Sequence, residues 1–222
     1  MPRLLVINPN TTQSITHLVA RHVRAAVGPG FEIIPATGGF GCAYITSEAC
    51  FAVGAHAALD CFQTHGAGCD AVLLACFGDP GLFALKEASP VPVLGLAEAS
   101  MIEATESAGR FSIVTGGAAW KPMLERFAAQ LGYADRLASV RTVALTGGEI
   151  AADPDAALAV LAEESRAAAE RDGAKAVILG GAGLAGLAAR IADRVPVPVL
   201  DSVLVGARRI AALAKIHADP EE

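Results

Sequence analysis

The stretch Ala71–Leu82, AVLLACFGDPGL, and its counterpart Ala176–Leu187, AVILGGAGLAGL, decide the fold. Each begins with four apolar residues typical of a buried strand and continues into a glycine-rich turn. They share Ala, Val, Leu, Gly, Gly and Leu in register, 105 residues apart. Both are followed by Val-Pro-Val-Leu, at Val91–Leu94 and Val197–Leu200. This ordered recurrence of strand, turn and second strand indicates that the chain contains two halves of similar design.

The rest of the chain supports the duplication. The segment Arg3–Asn8, which contains the first strand candidate, is paralleled by Arg110–Thr115, 107 residues later. Short apolar runs alternate with longer amphipathic or alanine-rich stretches, which is typical of parallel sheets covered by helices on both faces. We therefore predict an α/β protein of two pseudo-symmetric, doubly wound parallel-sheet domains with the active site in the cleft between them. The first half would comprise residues 1–97 and 202–222, and the second half residues 98–201.

The predicted elements follow from these runs. The strand candidates are Arg3–Ile7, Glu32–Pro35, Ala71–Ala75, Val93–Leu94, Phe111–Thr115, Ser139–Val143, Ala176–Leu179 and Val199–Leu200. The helix candidates are Thr12–Val27, Ser47–His65, Pro80–Ala88, Leu96–Ala108, Trp120–Leu131, Pro154–Asp172, Gly186–Arg194 and Asp201–His217.

Composition narrows the classes of function. Hydrophobic residues make up 53% of the 222 residues and charged residues 18%, which predicts a sizeable core and little disorder. A net charge of −6 argues against a nucleic-acid binder. No apolar run approaches the length of a membrane span, and the N-terminal apolar segment is too short for a signal peptide. We expect a cytoplasmic protein without a membrane partner, and a homo-oligomer.

Ligands of open parallel sheets bind beyond the carboxyl ends of the strands, so two facing halves would place their loops around one cleft. At Asn8–Thr12 the polar side chains follow the first strand and precede a helix, so they either cap that helix or bind a carboxylate or ring carbonyl. The candidate substrate-binding residues are Asn10, Thr11, Phe77, Gly78, Thr115, Gly116, Gly181 and Ala182.

Cys76 is the candidate catalytic residue. It lies between a buried strand and a helix that we expect to begin at Pro80, where the helix dipole would lower the thiol pKa below its usual value of about 8.5. Position alone leaves open an inert buried thiol. The other four cysteines, Cys42, Cys50, Cys61 and Cys69, form no CxxC pair and predict small buried side chains rather than a disulfide framework or a zinc site.

Other notable residues favour structural roles. The loop Gly180–Leu184 lacks a Walker lysine and a GxGxxG spacing, so it indicates a tight turn with room for a ligand. His56 and His65 have no clustered partners, and Trp120 is expected to serve in packing. Asp201 follows a strand and would cap the last helix or face the cleft.

Five motifs together carry a family resemblance: INPNTT at Ile7–Thr12, ACFGDPGL at Ala75–Leu82, Thr115–Gly117, ILGGAGL at Ile178–Leu184 and VPVLD at Val197–Asp201. The chain resembles the aspartate/glutamate/hydantoin racemase superfamily, and the motifs occur in the order expected of hydantoin and allantoin racemases. The resemblance implies a reaction without metal, pyridoxal phosphate or ATP, hence no cofactor. It also implies two cysteines, one from each half, that remove and return a proton on opposite faces of a small substrate with planar carbonyl or carboxylate groups.

By the resemblance Cys76 is the first of these cysteines, and the second would fall at position 181, where this chain has glycine. The internal repeat independently pairs position 181 with Cys76. The resemblance therefore implies a racemase or epimerase of hydantoin-like ring amides that lacks one thiol. The alternatives are a one-thiol decarboxylase of the arylmalonate type, a hydrolase or desulfurase that uses Cys76 as nucleophile, an inactive ligand-binding homologue, and an engineered Cys-to-Gly variant.

Overall fold

A computed structural model describes residues 1–218, and within them eight strands alternate with helices. The strands are β1 (Arg3–Asn8), β2 (Glu32–Thr37), β3 (Ala71–Leu74), β4 (Val93–Gly95), β5 (Phe111–Gly116), β6 (Leu137–Val143), β7 (Ala176–Leu179) and β8 (Val199–Asp201). The α-helices of the described range are α1 (Gln13–Val27), α2 (Glu48–His65), α3 (Leu82–Ala88), α4 (Leu96–Ala108), α5 (Trp120–Gln130), α6 (Gly147–Ala152), α7 (Pro154–Glu170), α8 (Ala188–Ile191) and α9 (Ser202–Ala218). Short 3₁₀ turns occupy Ala182–Leu184 and Ala192–Arg194.

The strands form two parallel four-stranded sheets with equivalent topology. The order is β2-β1-β3-β4 in the first sheet and β6-β5-β7-β8 in the second, and every strand pair is parallel. The central strands β3 and β7 are buried at every position because each is an uninterrupted apolar run with helices on both faces. The predicted α/β fold of two parallel-sheet halves is confirmed.

Two predicted helices and one that the sequence analysis missed differ from expectation in ways that bear on the site. Helix α3 begins at Leu82 rather than Pro80, because residues 76–81 form a turn in which Asp79, Gly78 and Gly81 have positive φ angles. The expected helix Gly186–Arg194 is broken into α8 and a 3₁₀ turn. Helix α6 was not predicted from the sequence, although the Thr146–Glu149 capping box at its start is a recognisable signal.

The last helix packs against elements of the first half of the chain. Helix α9 packs against α1, α4 and strand β3, and Arg209 forms ion pairs with Glu103 and Glu106 of α4. Val203, Val205 and Ile210 bury its apolar side. Within residues 1–218, no helix combines the length and apolar character needed to cross a bilayer.

Candidate active site

A cavity of about 320 Å³ lies where loops from the carboxyl ends of both sheets meet. Its wall includes the residues that follow β1 and β3 in the first sheet and β5 and β7 in the second. The lining consists of Asn10, Ile15, residues 44–46, Cys76, Phe77, residues 115–120, Ala144, Thr146, Gly147 and residues 181–184. Only two of these side chains, Cys76 and Tyr44, are ionisable, so the described lining carries no formal charge at neutral pH.

Cys76 lies in the turn directly after β3. The backbone N–H of Ala75 donates to the Ile7 carbonyl at 2.7 Å and so extends the strand pairing to the residue before the thiol. The Cys76 side chain is buried and contacts the cavity. A small ligand in the cavity can therefore contact the Cys76 side chain, although other protein atoms surround most of it.

The expected lowering of the Cys76 pKa is wrong. Burial raises the pKa of the Cys76 thiol well above its usual value, and the nearby Asp79 carboxylate raises it further. The helix dipole does not offset these effects, because α3 begins six residues after Cys76 and contains only seven residues. At neutral pH the resting residue is therefore a thiol, which donates a proton more readily than it accepts one.

The Asn8–Thr12 segment is built around the Asn10 amide. Its Oδ1 accepts from the Asn8 amide at 2.8 Å and from the Thr12 backbone N–H at 2.9 Å. The side-chain cap expected for α1 does not form: Thr12 is the N-cap residue, but its hydroxyl donates to the Ala43 carbonyl instead. Because the amide oxygen is engaged on the protein side, the Asn10 NH₂ group is the one left to donate to a ligand in the cavity.

Position 181 belongs to the part of the cavity wall that follows β7 of the second sheet. Gly181 has φ of +145°, and a Cβ built there would be 3.0 Å from Leu184 Cδ1 and 4.0 Å from Thr115 Oγ1. Thr115 is buried at the end of β5 and lines the cavity with Gly116. The place expected for a second thiol is thus taken by a glycine beside a threonine hydroxyl.

The structure brings together most of the predicted site residues. Those that line the cavity with Cys76 are Asn10, Phe77, Thr115, Gly116, Gly181 and Ala182. Two are placed elsewhere: the Thr11 N–H donates to the Cys42 carbonyl, and Gly78 lies against the indole of Trp120. Asp201 caps α9 and is outside the described lining. A substrate-binding role for each of these residues stays a prediction.

Several lining residues were missed from the sequence. Tyr44, Ile45 and Thr46 come from the loop between β2 and α2, Thr146 and Gly147 from the start of α6, and Trp120 from the start of α5. The capping-box motif signals α6, but no local pattern places the β2–α2 loop over the cleft. Trp120 was expected to serve only in packing, yet it both packs on Gly78 and lines the cavity.

The cysteine prediction is wrong at two positions. Cys42 and Cys50 form a disulfide and are partly exposed, whereas Cys61 and Cys69 are free and buried as expected. The pair was missed because its spacing of eight residues matches no common motif and only the folded loop brings the sulfurs together. Within residues 1–218, His, Cys, Asp and Glu side chains form no group of three that could hold a metal ion.

Comparison with known proteins agrees with this geometry. Residues 4–210 match the family model described as Asp/Glu/Hydantoin racemase. The chain belongs to the Asp/Glu/hydantoin racemase family. It is 33% identical to a hydantoin racemase of Pseudomonas sp. (strain NS671), over 93% of this chain and 83% of that one. The predicted membership of this superfamily, and with it the assignment as an enzyme of the isomerase class, is confirmed.

Solved structures show the same scaffold. The allantoin racemase from Pseudomonas fluorescens superposes with a TM-score of 0.92 at 33% identity, covering 96% of this chain and 91% of that one. Arylmalonate decarboxylase superposes with a TM-score of 0.66 at 21% identity, covering 96% of this chain and 92% of that one. The second likeness is evidence for the fold alone.

Proposed function

We propose that the protein is a cofactor-independent isomerase acting on a hydantoin-like ring amide, with Cys76 as its single acid–base thiol. The observation that carries the proposal is that Cys76, the one thiol among the described cavity-lining residues, shares the cavity wall with Gly181, its counterpart in the internal repeat. Relatives with 33% identity named hydantoin racemase and allantoin racemase support the choice of ring.

The chemistry of the cavity favours a neutral ring. Its polar side chains include the Asn10 amide and the hydroxyls of Thr115 and Thr146, which suit the N–H and C=O groups of a ring amide. No lysine, arginine or histidine belongs to the described lining, so nothing there neutralises a carboxylate on the substrate. A volume of about 320 Å³ is at the small end of the range for ligand cavities and suits one ring with a modest substituent.

The proposed reaction moves one proton at the carbon next to a ring carbonyl. The Cys76 thiolate, a minor form at neutral pH, takes that proton, and the C–H electron pair shifts into the carbonyl to form an enolate. The Asn10 NH₂ group donates to the enolate oxygen. Water on the Gly181 face then gives a proton to the carbon, and the resulting hydroxide accepts, through solvent, the proton that Cys76 removed.

A second candidate function is decarboxylation of a malonate-type substrate, followed by protonation of the resulting enolate on one face. It is favoured by the burial that keeps Cys76 protonated and by the absence of an acidic side chain at Gly181. In this reaction the C–C bond of a malonate-type substrate breaks, its electron pair stays as an enolate, and Cys76 supplies the proton to one face. The product would be a single enantiomer.

Incubation with single-enantiomer 5-substituted hydantoins and with aryl malonates in D₂O separates the candidates. We expect loss of optical rotation together with uptake of deuterium at the ring carbon, read by polarimetry and NMR. Release of carbon dioxide with a chiral product would instead establish the second candidate. Binding without change of either substrate would show a ligand-binding homologue.

Cys76→Ser tests the role of the thiol. General acid–base transfer contributes roughly 10² to 10⁴ in rate, so turnover should fall by that factor. Cys61→Ala is the matched control, because Cys61 is a buried free cysteine in α2 outside the described lining. Full activity of Cys76→Ser would contradict the proposal for both reactions.

Three further expectations stay proposals. We propose that the chain divides into residues 1–97 with 202–222 and residues 98–201, that it acts in the cytoplasm, and that it forms a homo-oligomer. Limited proteolysis, cell fractionation and light scattering respectively test these points.

A further inference from the structure

Asp79 is a buried carboxyl group that the proposed reaction does not use. It is 1% exposed and, within residues 1–218, the only non-glycine residue with a positive φ, at 54°. Such a conformation is uncommon for residues other than glycine and persists where surrounding contacts fix it. The contacts of Asp79 therefore indicate what holds this turn in place.

The Asp79 carboxylate joins the Cys76 turn to the start of α4. Its Oδ1 accepts from the Ala97 N–H at 2.9 Å and its Oδ2 from the Glu98 N–H at 2.7 Å. The Asp79 backbone N–H donates to the Cys76 carbonyl at 3.0 Å. Three hydrogen bonds thus connect the residue that carries the thiol, the turn and the N-terminus of a thirteen-residue helix.

We call this arrangement, in which one carboxylate accepts from backbone N–H groups and so joins a turn to the start of a helix, a clamp. The second half has an equivalent clamp, but its carboxylate comes from another place in the chain. Asp201, at the end of β8, accepts from Val203 N–H at 3.0 Å and from Gly186 N–H at 2.6 Å. In the internal repeat its counterpart is Gly95, and a Cβ on Gly95 would be 2.0 Å from Asp79 Cγ. The two carboxylates hold equivalent positions, yet only that of Asp79 belongs to the turn that carries a thiol.

The charges around Asp79 are few. Glu98 of α4 and Lys86 of α3 face it, and Cys76 is in its own turn. Lys86 Nζ is 2.5 Å from Glu98 Oε1, so part of its positive charge is already paired. Burial raises the pKa of Asp79 to about 8, against the lowering effect of the two N–H bonds.

We propose that Asp79 is a positioning residue of the thiol site: its carboxyl group fixes the turn that carries Cys76, and in its ionised form its negative charge opposes thiolate formation. The inference rests on the proposed function only in taking Cys76 as the reacting group. Below the Asp79 pKa the neighbour of the thiol is neutral and the thiolate forms more easily. Above that pKa the negative charge of Asp79 raises the pKa of the Cys76 thiol, so a smaller fraction of it ionises at a given pH.

The test measures the rate at which iodoacetamide labels Cys76 between about pH 6 and pH 10, read by peptide mass spectrometry, without any substrate. In the wild type we expect the logarithm of the rate to rise with pH, flatten near the Asp79 pKa of about 8, and then rise again. Above the flattening the rate should be roughly tenfold below the extrapolated low-pH line, which corresponds to one pKa unit. Turnover plays no part, so failure of the proposed reaction would leave this result intact.

Asp79→Asn should give a straight profile without the flattening, because the amide has nearly the same shape but no titrating charge; its NH₂ group gives up one of the two N–H bonds that the carboxylate accepts. Asp201→Asn is the matched control: it removes the charge of the equivalent clamp in the half without a thiol, and the flattening should persist. If Asp79 had a purely structural role, Asp79→Asn would change the labelling rate by the same factor at every pH, and the flattening would remain. That result, or a wild-type profile that is straight through pH 8, would overturn the proposal, and the wild-type profile decides even if Asp79→Asn does not fold.

Discussion

Gly181 is in a backbone conformation that glycine adopts freely and L-residues with a side chain rarely do. Its φ of +145° and ψ of 139° lie in a region that is nearly exclusive to glycine. Cys76, its counterpart in the repeat, has no positive φ. The second loop is therefore shaped around glycine, and a cysteine cannot simply be restored there with the backbone unchanged.

The substitutions Gly181→Ala and Gly181→Cys test this at the residue scale. Both should lower the free energy of unfolding by about 1–3 kcal/mol, the cost of forcing a side chain into that conformation. Urea denaturation measures the loss. Hydantoin racemisation should rise only in Gly181→Cys, since alanine shares the strain but brings no proton. Two variants as stable as the wild type would contradict the argument from backbone strain.

Asn10 offers a second residue-scale test, because its side-chain oxygen accepts hydrogen bonds within the protein while its NH₂ group is proposed to donate to the substrate. Asn10→Asp keeps an oxygen for the bonds from Asn8 and Thr12 but replaces the donating NH₂ with a second acceptor. Loss of one donor to a developing oxyanion costs about 10² to 10³ in kcat, and we expect a drop of that size. Steady-state kinetics would show it, with circular dichroism as the check on folding. An unchanged kcat would mean that Asn10 serves only to shape its own loop.

At the scale of elements, the loop of residues 38–47 matters most, since it brings part of the cavity wall from outside the strand ends. The Gly38 N–H donates to the Asn8 carbonyl at 2.8 Å, and the Thr11 N–H donates to the Cys42 carbonyl at 3.2 Å. The Cys42–Cys50 disulfide ties the same loop to the first turn of α2. Tyr44 reaches Gly148 at the start of α6, so this loop joins the two halves over the cavity.

Reduction of the disulfide should loosen this wall. The bridge links residues that are eight positions apart in the chain. By lowering the entropy of the unfolded chain, a cross-link of this length stabilises the folded state by about 2–3 kcal/mol. We expect dithiothreitol, or the double variant Cys42→Ser/Cys50→Ser, to lower the free energy of unfolding by that amount and to raise KM more than it lowers kcat. Treatment of the double variant with dithiothreitol is the control and should have no further effect. An unchanged KM in both cases would show that Tyr44 and its neighbours stay in place without the bridge.

The elements differ in how well the sequence predicts them, for physical reasons. Strands such as β3 and β7 are continuous apolar runs, and both are found where expected. The turn after Cys76 is governed by a buried carboxylate that reaches eighteen residues along the chain to Ala97, and no local pattern contains such a contact. The charge of that carboxylate is the smaller reason why the expected Cys76 pKa was wrong, and burial, which is a property of the folded molecule, is the larger one.

At the scale of the whole molecule, duplication accounts for the position of the cavity but leaves its chemistry undetermined. Equivalent strand ends in two facing sheets predict one cleft, and Asn10, Cys76, Thr115 and Gly181 all line it. The uncharged character of the lining arises from Tyr44, Trp120 and Thr146 as well, which come from loops and helix starts that the repeat does not constrain. It is a property of the assembled molecule, and it limits the substrates that fit.

The uncharged lining predicts a preference between substrates of the same shape. A hydantoin with a carboxymethyl group at C5 would bring a negative charge into a cavity whose described lining offers no cation, whereas the carbamoylmethyl analogue is neutral and nearly identical in size. Burying an unpaired charge costs more than burying a polar group, and about 1.4 kcal/mol corresponds to a factor of ten. We therefore expect kcat/KM to be at least about tenfold lower for the carboxylate, and highest for an apolar substituent such as isobutyl. Equal values for the carboxylate and the carboxamide, measured at several salt concentrations, would mean that the substituent points to solvent rather than into the cavity, and the uncharged lining would then have no part in substrate choice.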